Sequence, residues 1–269
     1  MVLVNGTEQS SISIRDRSAQ YGDGSFTTVL IKQGKPLLWR LHLQRLQKNV
    51  RTFRISAPNW DDVTQQVYQQ AKQYPDKGVV KVVISRGEGG RGYSPTGCAD
   101  TQVIISDFDW PKHYVEWQQD GIELGVCLQR LGLVPMLAGF KHLNRLEQVL
   151  LKQEVDDSGW LDAVVLDVNG HVMEATASNI FWRCKNTVYT PELDMSGVHG
   201  VMRAHVLELL GSTEYCVEFV KTSLESLLCA DEIFITNALM ALVPIKKINE
   251  NEFSERILLS ALNKRLYTC

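Results

Sequence analysis

The sequence predicts a mixed α/β protein of the α+β kind, divided into two domains. Three observations predict it. Strands and helices follow each other irregularly along the 269 residues, without the regular strand–helix–strand order of a doubly wound sheet. The polar stretch PKHYVEWQQDG opens on Pro111 and stands between two groups of elements, so it is expected to be an interdomain linker. No internal repeat or low-complexity tract is present. The expected boundaries are 1–112 for a smaller N-terminal domain and 113–269 for a larger C-terminal one.

Taken in order, MVLVNG and SISIRD read as two strands around a turn, and SFTTVLI as a third. Leu43, Leu46, Val50 and Phe53 recur at helical spacing, and a second helix is expected from Trp60 to Tyr74. GVVKVVISRG and TQVIISDFDW are β-branched strands on either side of the Gly-rich loop EGGRGYSPTGCAD. Beyond the linker come a strand over 122–129, a helix over GFKHLNRLEQVLLKQ, and strands at DAVVLD, NIFWRC and VYTP. A helix opening near Val201, the strand CVEFVK, a helix over 223–229 and the strand EIFIT follow. The last helix carries Phe253, Ile257, Leu258, Ala261, Leu262 and Leu266 on its apolar side.

Composition excludes several classes. Hydrophobic residues are 44% and charged residues 22%, ordinary for a globular chain, and the net charge of -3 gives no basic field for nucleic acid or an anionic membrane. No apolar run reaches membrane-span length, and the N-terminus lacks signal-peptide features. The six cysteines (Cys98, Cys127, Cys184, Cys216, Cys229 and Cys269) are scattered, which predicts reduced thiols, a cytoplasmic location and no metal site.

Candidate chemistry starts at Lys141. Leu143, Leu146, Val149 and Leu150 predict an amphipathic helix with Lys141 in its first turn, where the positive dipole end disfavours a proton on the amine. A neutral lysine can form an imine with a carbonyl compound. Most lysines at helix ends are merely solvated, so position alone does not decide. Three further segments bear on it. HVMEATASNIFW delivers Glu174 after a turn, followed by small residues that leave room for a flat ligand; a carboxylate there can hold a protonated pyridine nitrogen. SGVHGVMRAHVLELL opens a helix whose Val201 and Met202 N–H groups can hold phosphate. In LHLQRLQKNV, His42, Arg45 and Asn49 form a strip beside the apolar face, and Arg45 can fork onto a phosphate; a solvated helix face is the default explanation. RGEGGRGY has no G-K-[ST], which excludes a phosphate-binding P-loop, and its glycines give a mobile loop carrying Arg91.

Together, RSAQYGDGSFTT, KVVISRGEGGRGYS, LAGFKHLNRLEQVL and ITNALM resemble the fold-type IV pyridoxal-phosphate enzymes over nearly the whole chain. Within that family they resemble the aminodeoxychorismate lyases more than the branched-chain and D-amino-acid aminotransferases, which remain the alternative. The resemblance implies an N-terminal α/β sandwich and a C-terminal pseudo-barrel with pyridoxal 5'-phosphate between them. It implies Lys141 as the Schiff-base lysine, Glu174 at the pyridine nitrogen, and Arg45, Val201, Met202 and the loop at Asn237 and Ala238 on the phosphate. In that loop either a backbone N–H or the Asn237 side chain is the donor. It also implies Thr28 in the catalytic step, Arg91 and Tyr93 on a substrate carboxylate, and a homodimer. Arg145, one turn beyond Lys141, is a second cation for the substrate. The implied reaction takes 4-amino-4-deoxychorismate to 4-aminobenzoate and pyruvate, a step of folate biosynthesis.

Overall fold

The computed structural model describes residues 1–98 and 100–267. They divide into two compact units, Met1–Pro111 with Phe140–Arg145, and Lys112–Gly139 with Leu146–Cys269.

The first unit is an antiparallel sheet of β1 (Val2–Val4), β2 (Thr7–Glu8), β3 (Gly24–Lys32), β4 (Lys35–Pro36), β5 (Lys77–Ser85) and β6 (Gln102–Asp109), in the order β2-β1-β6-β5-β3-β4. A short α1 (Arg17–Tyr21) precedes β3, while α2 (Trp39–Thr52) and α3 (Trp60–Ala71) cover one sheet face. Val29, Ile31, Val80 and Val82 from the sheet meet Leu46, Val50, Val63 and Val67 from the helices. The period-two alternation of β3 therefore sends Ser25, Thr27, Val29 and Ile31 toward α2, and Phe26 and Thr28 to the other face. SISIRD does not form the expected strand. Ile14 is 80% exposed, and Asp16 ends the stretch by capping α1, its carboxylate accepting the Ser18 N–H at 2.8 Å.

The second unit contains α4 (Tyr114–Asp120), β7 (Ile122–Val126), α5 (Leu146–Asp157), β8 (Asp162–Leu166), β9 (Val172–Ala175), β10 (Asn179–Cys184) and β11 (Thr187–Pro191). It continues through α6 (Val201–Leu210), β12 (Cys216–Val220), α7 (Leu224–Leu228), β13 (Glu232–Asn237), β14 (Ala241–Ile248), β15 (Asn251–Glu252) and α8 (Ile257–Asn263). The sheet runs β12-β11-β10-β13-β14-β7-β8-β9, with β15 paired to β14. Its end strand β9 packs back on β10 and β11, curling the sheet into a half-barrel around Val164, Val172, Ile180, Ile235 and Val243. On the outside, Leu151 and Val155 of α5 pack with Cys127, Ala163, Val165 and Met173.

Four expectations change here. The stretch read as a linker is largely α4, whose Tyr114 and Trp117 pack on the half-barrel core. The helix read from Gly139 begins only at Leu146. Residues 140–145 run instead beside β3, with the Phe26 N–H on the Lys141 carbonyl (3.0 Å) and the Leu143 N–H on that of Gly24 (3.1 Å). The face chosen for that helix is also wrong: Leu146, Val149 and Leu150 are 70%, 59% and 42% exposed, and Leu151 and Val155 carry the burial. At the C-terminus Phe253 precedes α8 and Ile257 is exposed, so Leu258, Leu259 and Leu262 form its buried side. Among the six cysteines, Cys269 lies outside the described residues; the other five are unpaired.

Candidate active site

Because the helix starts at Leu146, Lys141 does not sit in a first helical turn, and a helix dipole does not supply its field. Side chains of the first unit stand beside it. Nζ of Lys141 stands 4.5 Å from the centroid of the Phe26 ring, and Nζ of Lys81 stands 5.1 Å from the same centroid. Lys81 pairs across the sheet with Thr28, which shares the Phe26 face of β3. Lys141, Lys81 and Thr28 thus gather on one face of one strand pair. Arg145 braces the lysine's main chain, donating from Nε to the His142 carbonyl (2.9 Å) and from a terminal nitrogen to the Phe140 carbonyl (2.5 Å).

The polar strip of α2 is not a solvated face. His42 and Asn49 are buried, and both meet hydroxyls of β3. Asn49 Nδ2 donates to Ser25 Oγ at 2.7 Å, and Ser25 Oγ donates to the Lys141 carbonyl at 3.0 Å. Arg45 donates to Thr27 Oγ1, which leaves the Thr27 proton able to reach His42 Nδ1, 2.6 Å away. A neutral His42 suits this arrangement. Burial first, and next Arg45 and Lys141, hold its pKa well below the ordinary value. Burial, then Arg145 and Lys141, likewise lower His142 to about 4. Burial, then Arg145, lower Arg45 to about 9. Arg45 Nε is shielded from water and has no hydrogen-bond acceptor in the described chain. Crowded cations with an unsatisfied guanidinium N–H form a seat for an anion.

The second unit holds the remaining candidates. Glu174, on β9, is buried and accepts the Val198 N–H at 3.0 Å. The loop between Glu174's partner and α6 ends at Gly200, the N-cap of α6, which makes no side-chain capping bond. A Cβ at Gly200 would fall 2.1 Å from Asn179 Oδ1, so any larger residue here would have to displace the Asn179 amide. Val201 and Met202 stand in the first turn, where amide N–H groups have no partner within the helix. Asn237 Oδ1 is taken by the N–H groups of Leu239 and Met240, each at 2.9 Å, and its Nδ2 donates to Ala177.

Arg91 and Tyr93 lie on an exposed loop. Arg17, itself buried, holds that loop by donating to the carbonyls of Gly92 (3.2 Å), Tyr93 (3.0 Å) and Ser94 (3.4 Å), while its Nε binds Asp23 at 2.8 Å. The predicted residues therefore fall into two sets: Lys141, Thr28, Arg45, Arg145, Arg91 and Tyr93 on the first unit, and Glu174, Val201, Met202, Asn237 and Ala238 on the second. Sequence reasoning passed over Lys81, Ser25 and Thr27. Their signal was present in the alternation of β3 and β5 but needed the strand register to be seen.

Comparison with known proteins agrees in extent. The amino-transferase class IV family model matches residues 24–248. An aminodeoxychorismate lyase from Vibrio harveyi is 43% identical over 266 residues, 99% of this chain and 98% of that protein. The crystal structure of 4-amino-4-deoxychorismate lyase from Pseudomonas aeruginosa superposes with a TM-score of 0.92 at 35% identity, over 99% of both chains. A hypothetical aminotransferase from Mycobacterium tuberculosis, in its PLP-bound form, shares the fold at a TM-score of 0.86 and 17% identity, over 98% of this chain and 96% of that one.

Proposed function

The chain belongs to the amino-transferase class IV family, and from that premise we propose that it is a pyridoxal-phosphate-dependent lyase converting 4-amino-4-deoxychorismate to 4-aminobenzoate and pyruvate. The observation that carries this reading is the 43% identity to the Vibrio harveyi lyase along practically the whole length of both proteins. The chain's own residues fit the cofactor. A water-shielded Arg45 Nε lacking an acceptor suits a phosphate, and a buried carboxylate at Glu174 suits a protonated ring nitrogen.

When bound, the cofactor supplies an aldehyde that links to amines and a ring that takes up electrons from the carbon bearing the amine. In this reading Lys141 Nζ holds the aldehyde carbon, and Glu174 keeps the ring nitrogen protonated. Arg45 and the N–H groups of Val201, Met202 and Ala238 would hold the phosphate; the donor group of the Asn237 side chain, Nδ2, is already directed at the Ala177 carbonyl, so the Ala238 N–H is our choice of donor in that loop. As a free amine, Lys141 Nζ would take the proton from the substrate carbon bearing the nitrogen. The enolpyruvyl ether leaves as the ring becomes aromatic, and a proton reaches its methylene carbon. The Thr28 hydroxyl orients that transfer, since it shares the strand face over which Lys141 Nζ lies. Two substrate carboxylates call for cations: Lys81, beside Thr28, binds one, and Arg91 with Tyr93 binds the other. Arg145, committed to two carbonyls around Lys141, serves chiefly to brace the lysine and adds positive potential for the substrate.

A second copy of the chain completes the assembly as a homodimer, covering apolar side chains such as Leu146 and Val149 that the single chain leaves exposed. No helix among the described residues is long and apolar enough to cross a membrane, and five unpaired cysteines fit a reducing compartment such as the cytoplasm. The test supplies 4-amino-4-deoxychorismate and follows 4-aminobenzoate fluorescence and pyruvate. Both products in equal amounts are expected. Amine transfer from D-alanine or branched-chain amino acids to 2-oxoglutarate, with no 4-aminobenzoate, would place the chain with the aminotransferases instead.

A further inference from the structure

We propose that Ser25 and Asn49 are positioning residues for Lys141, fixing the direction of its amine through the lysine's own carbonyl. The proposal rests on Lys141 being the cofactor-bearing lysine. The Lys141 carbonyl accepts two donors, the Phe26 N–H at 3.0 Å and Ser25 Oγ at 3.0 Å. Because a serine hydroxyl has one proton, its lone pairs are left for Asn49 Nδ2 at 2.7 Å, and the chain of donors runs one way, from Asn49 through Ser25 to Lys141. Ser25 is completely buried and Asn49 is 1% exposed. An apolar pair would fill the same space between α2 and β3 without a desolvation cost, as Val29, Ile31, Leu46 and Val50 do beside it. What the polar pair adds is angular restraint on residue 141, which lies in a segment held by β3 rather than inside a helix. Asn49 also stands one helical turn beyond Arg45 on α2, so a single helix fixes both the lysine's main chain and the guanidinium proposed for the phosphate.

The test labels the cofactor-free full-length chain with a small acylating reagent at a series of pH values and measures Lys141 modification by peptide mass spectrometry. Ser25→Ala and Asn49→Ser are compared with Val29→Ala, a core change on the same strand face that lowers stability without touching the donor chain. The first two are expected to change the labelling rate of Lys141 by about threefold or more and to displace its pH midpoint, while Val29→Ala leaves both unchanged. In the holoenzyme the same two variants should lose about tenfold in kcat at constant KM, equivalent to about 1.4 kcal/mol of barrier. Ser25→Thr, which keeps a hydroxyl, should recover most of it. If Ser25→Ala fails to fold, Asn49→Ser decides. Unchanged labelling in the folded variants, or an equal change in Val29→Ala, overturns the proposal. Borohydride reduction of the wild-type holoenzyme separately reports whether Lys141 carries the cofactor at all, so failure of that reading is not mistaken for failure of this one.

Discussion

Acidification should weaken the fold through the two neutral histidines that flank the lysine. His142 makes the sharper case, since burial, then Arg145 and Lys141, bring it to about 4, and its Nδ1 is buried with no hydrogen-bond partner in the described chain. A base whose folded pKa is depressed takes up its proton first in the unfolded chain. Stability is therefore complete above the unfolded value, falls as pH drops below it, and levels off once the folded value is passed. With about 6.5 unfolded and about 4 folded, linkage gives a loss of about 2 kcal/mol between pH 7 and pH 5. His142 is only partly buried, and solvent screening reduces the expected loss to about 1 kcal/mol. Urea unfolding of wild type and His142→Gln at the two pH values reads it directly. Carboxylates titrate alike in both proteins and cancel, so the variant should lose about 1 kcal/mol less than wild type on going to pH 5. Equal losses in the two proteins would refute the account of His142 as a group held neutral by burial and neighbouring cations. His42, lowered in the same direction, should keep part of the pH dependence alive in the variant.

Three further outcomes follow from the site geometry. Arg45→Leu should weaken pyridoxal phosphate by about 1.5–3 kcal/mol, roughly tenfold or more, yet leave the affinity for pyridoxal nearly unchanged, as read by titration of the cofactor absorbance. Gly200→Ala forces a Cβ to 2.1 Å from Asn179 Oδ1 and breaks the seat of the α6 N-terminus; about 1–3 kcal/mol of stability should go in urea unfolding, together with cofactor affinity, and an unperturbed variant would argue against that close approach. Lys81→Met should raise KM for the dicarboxylate substrate by about tenfold or more with little effect on cofactor binding, because it removes the cation proposed for one substrate carboxylate, across the strand pair from Thr28.

The strands were the legible part of the fold. GVVKVVISRG and TQVIISDFDW became β5 and β6 because runs of β-branched residues bury well on a sheet covered by helices. The lysine segment was misread for a physical reason. Leu143, Leu146, Val149 and Leu150 do recur at helical spacing, but the Lys141 carbonyl finds its donors on β3, 116 residues earlier in the chain in the case of Ser25. Spacing within a segment carries no information about such a partner. The α2 strip shows the complementary limit. The i, i+3, i+7 placement of His42, Arg45 and Asn49 could be read, whereas their inward orientation depends on hydroxyls that alternation along β3 turns toward the helix. Similarly, Glu174 and the start of α6 were found where they were expected, but the bond from Val198 to Glu174 comes from a loop with no pattern of its own.

The central claim is that Lys141 is the amine to which the cofactor is attached, and borohydride reduction followed by peptide mapping tests it most directly. Loaded with pyridoxal phosphate, reduced and digested, the chain should carry the stable phosphopyridoxyl group on the peptide containing Lys141, and Lys141→Ala should carry none. Incorporation at Lys81, the other amine beside Phe26, or continued incorporation in Lys141→Ala, would contradict it.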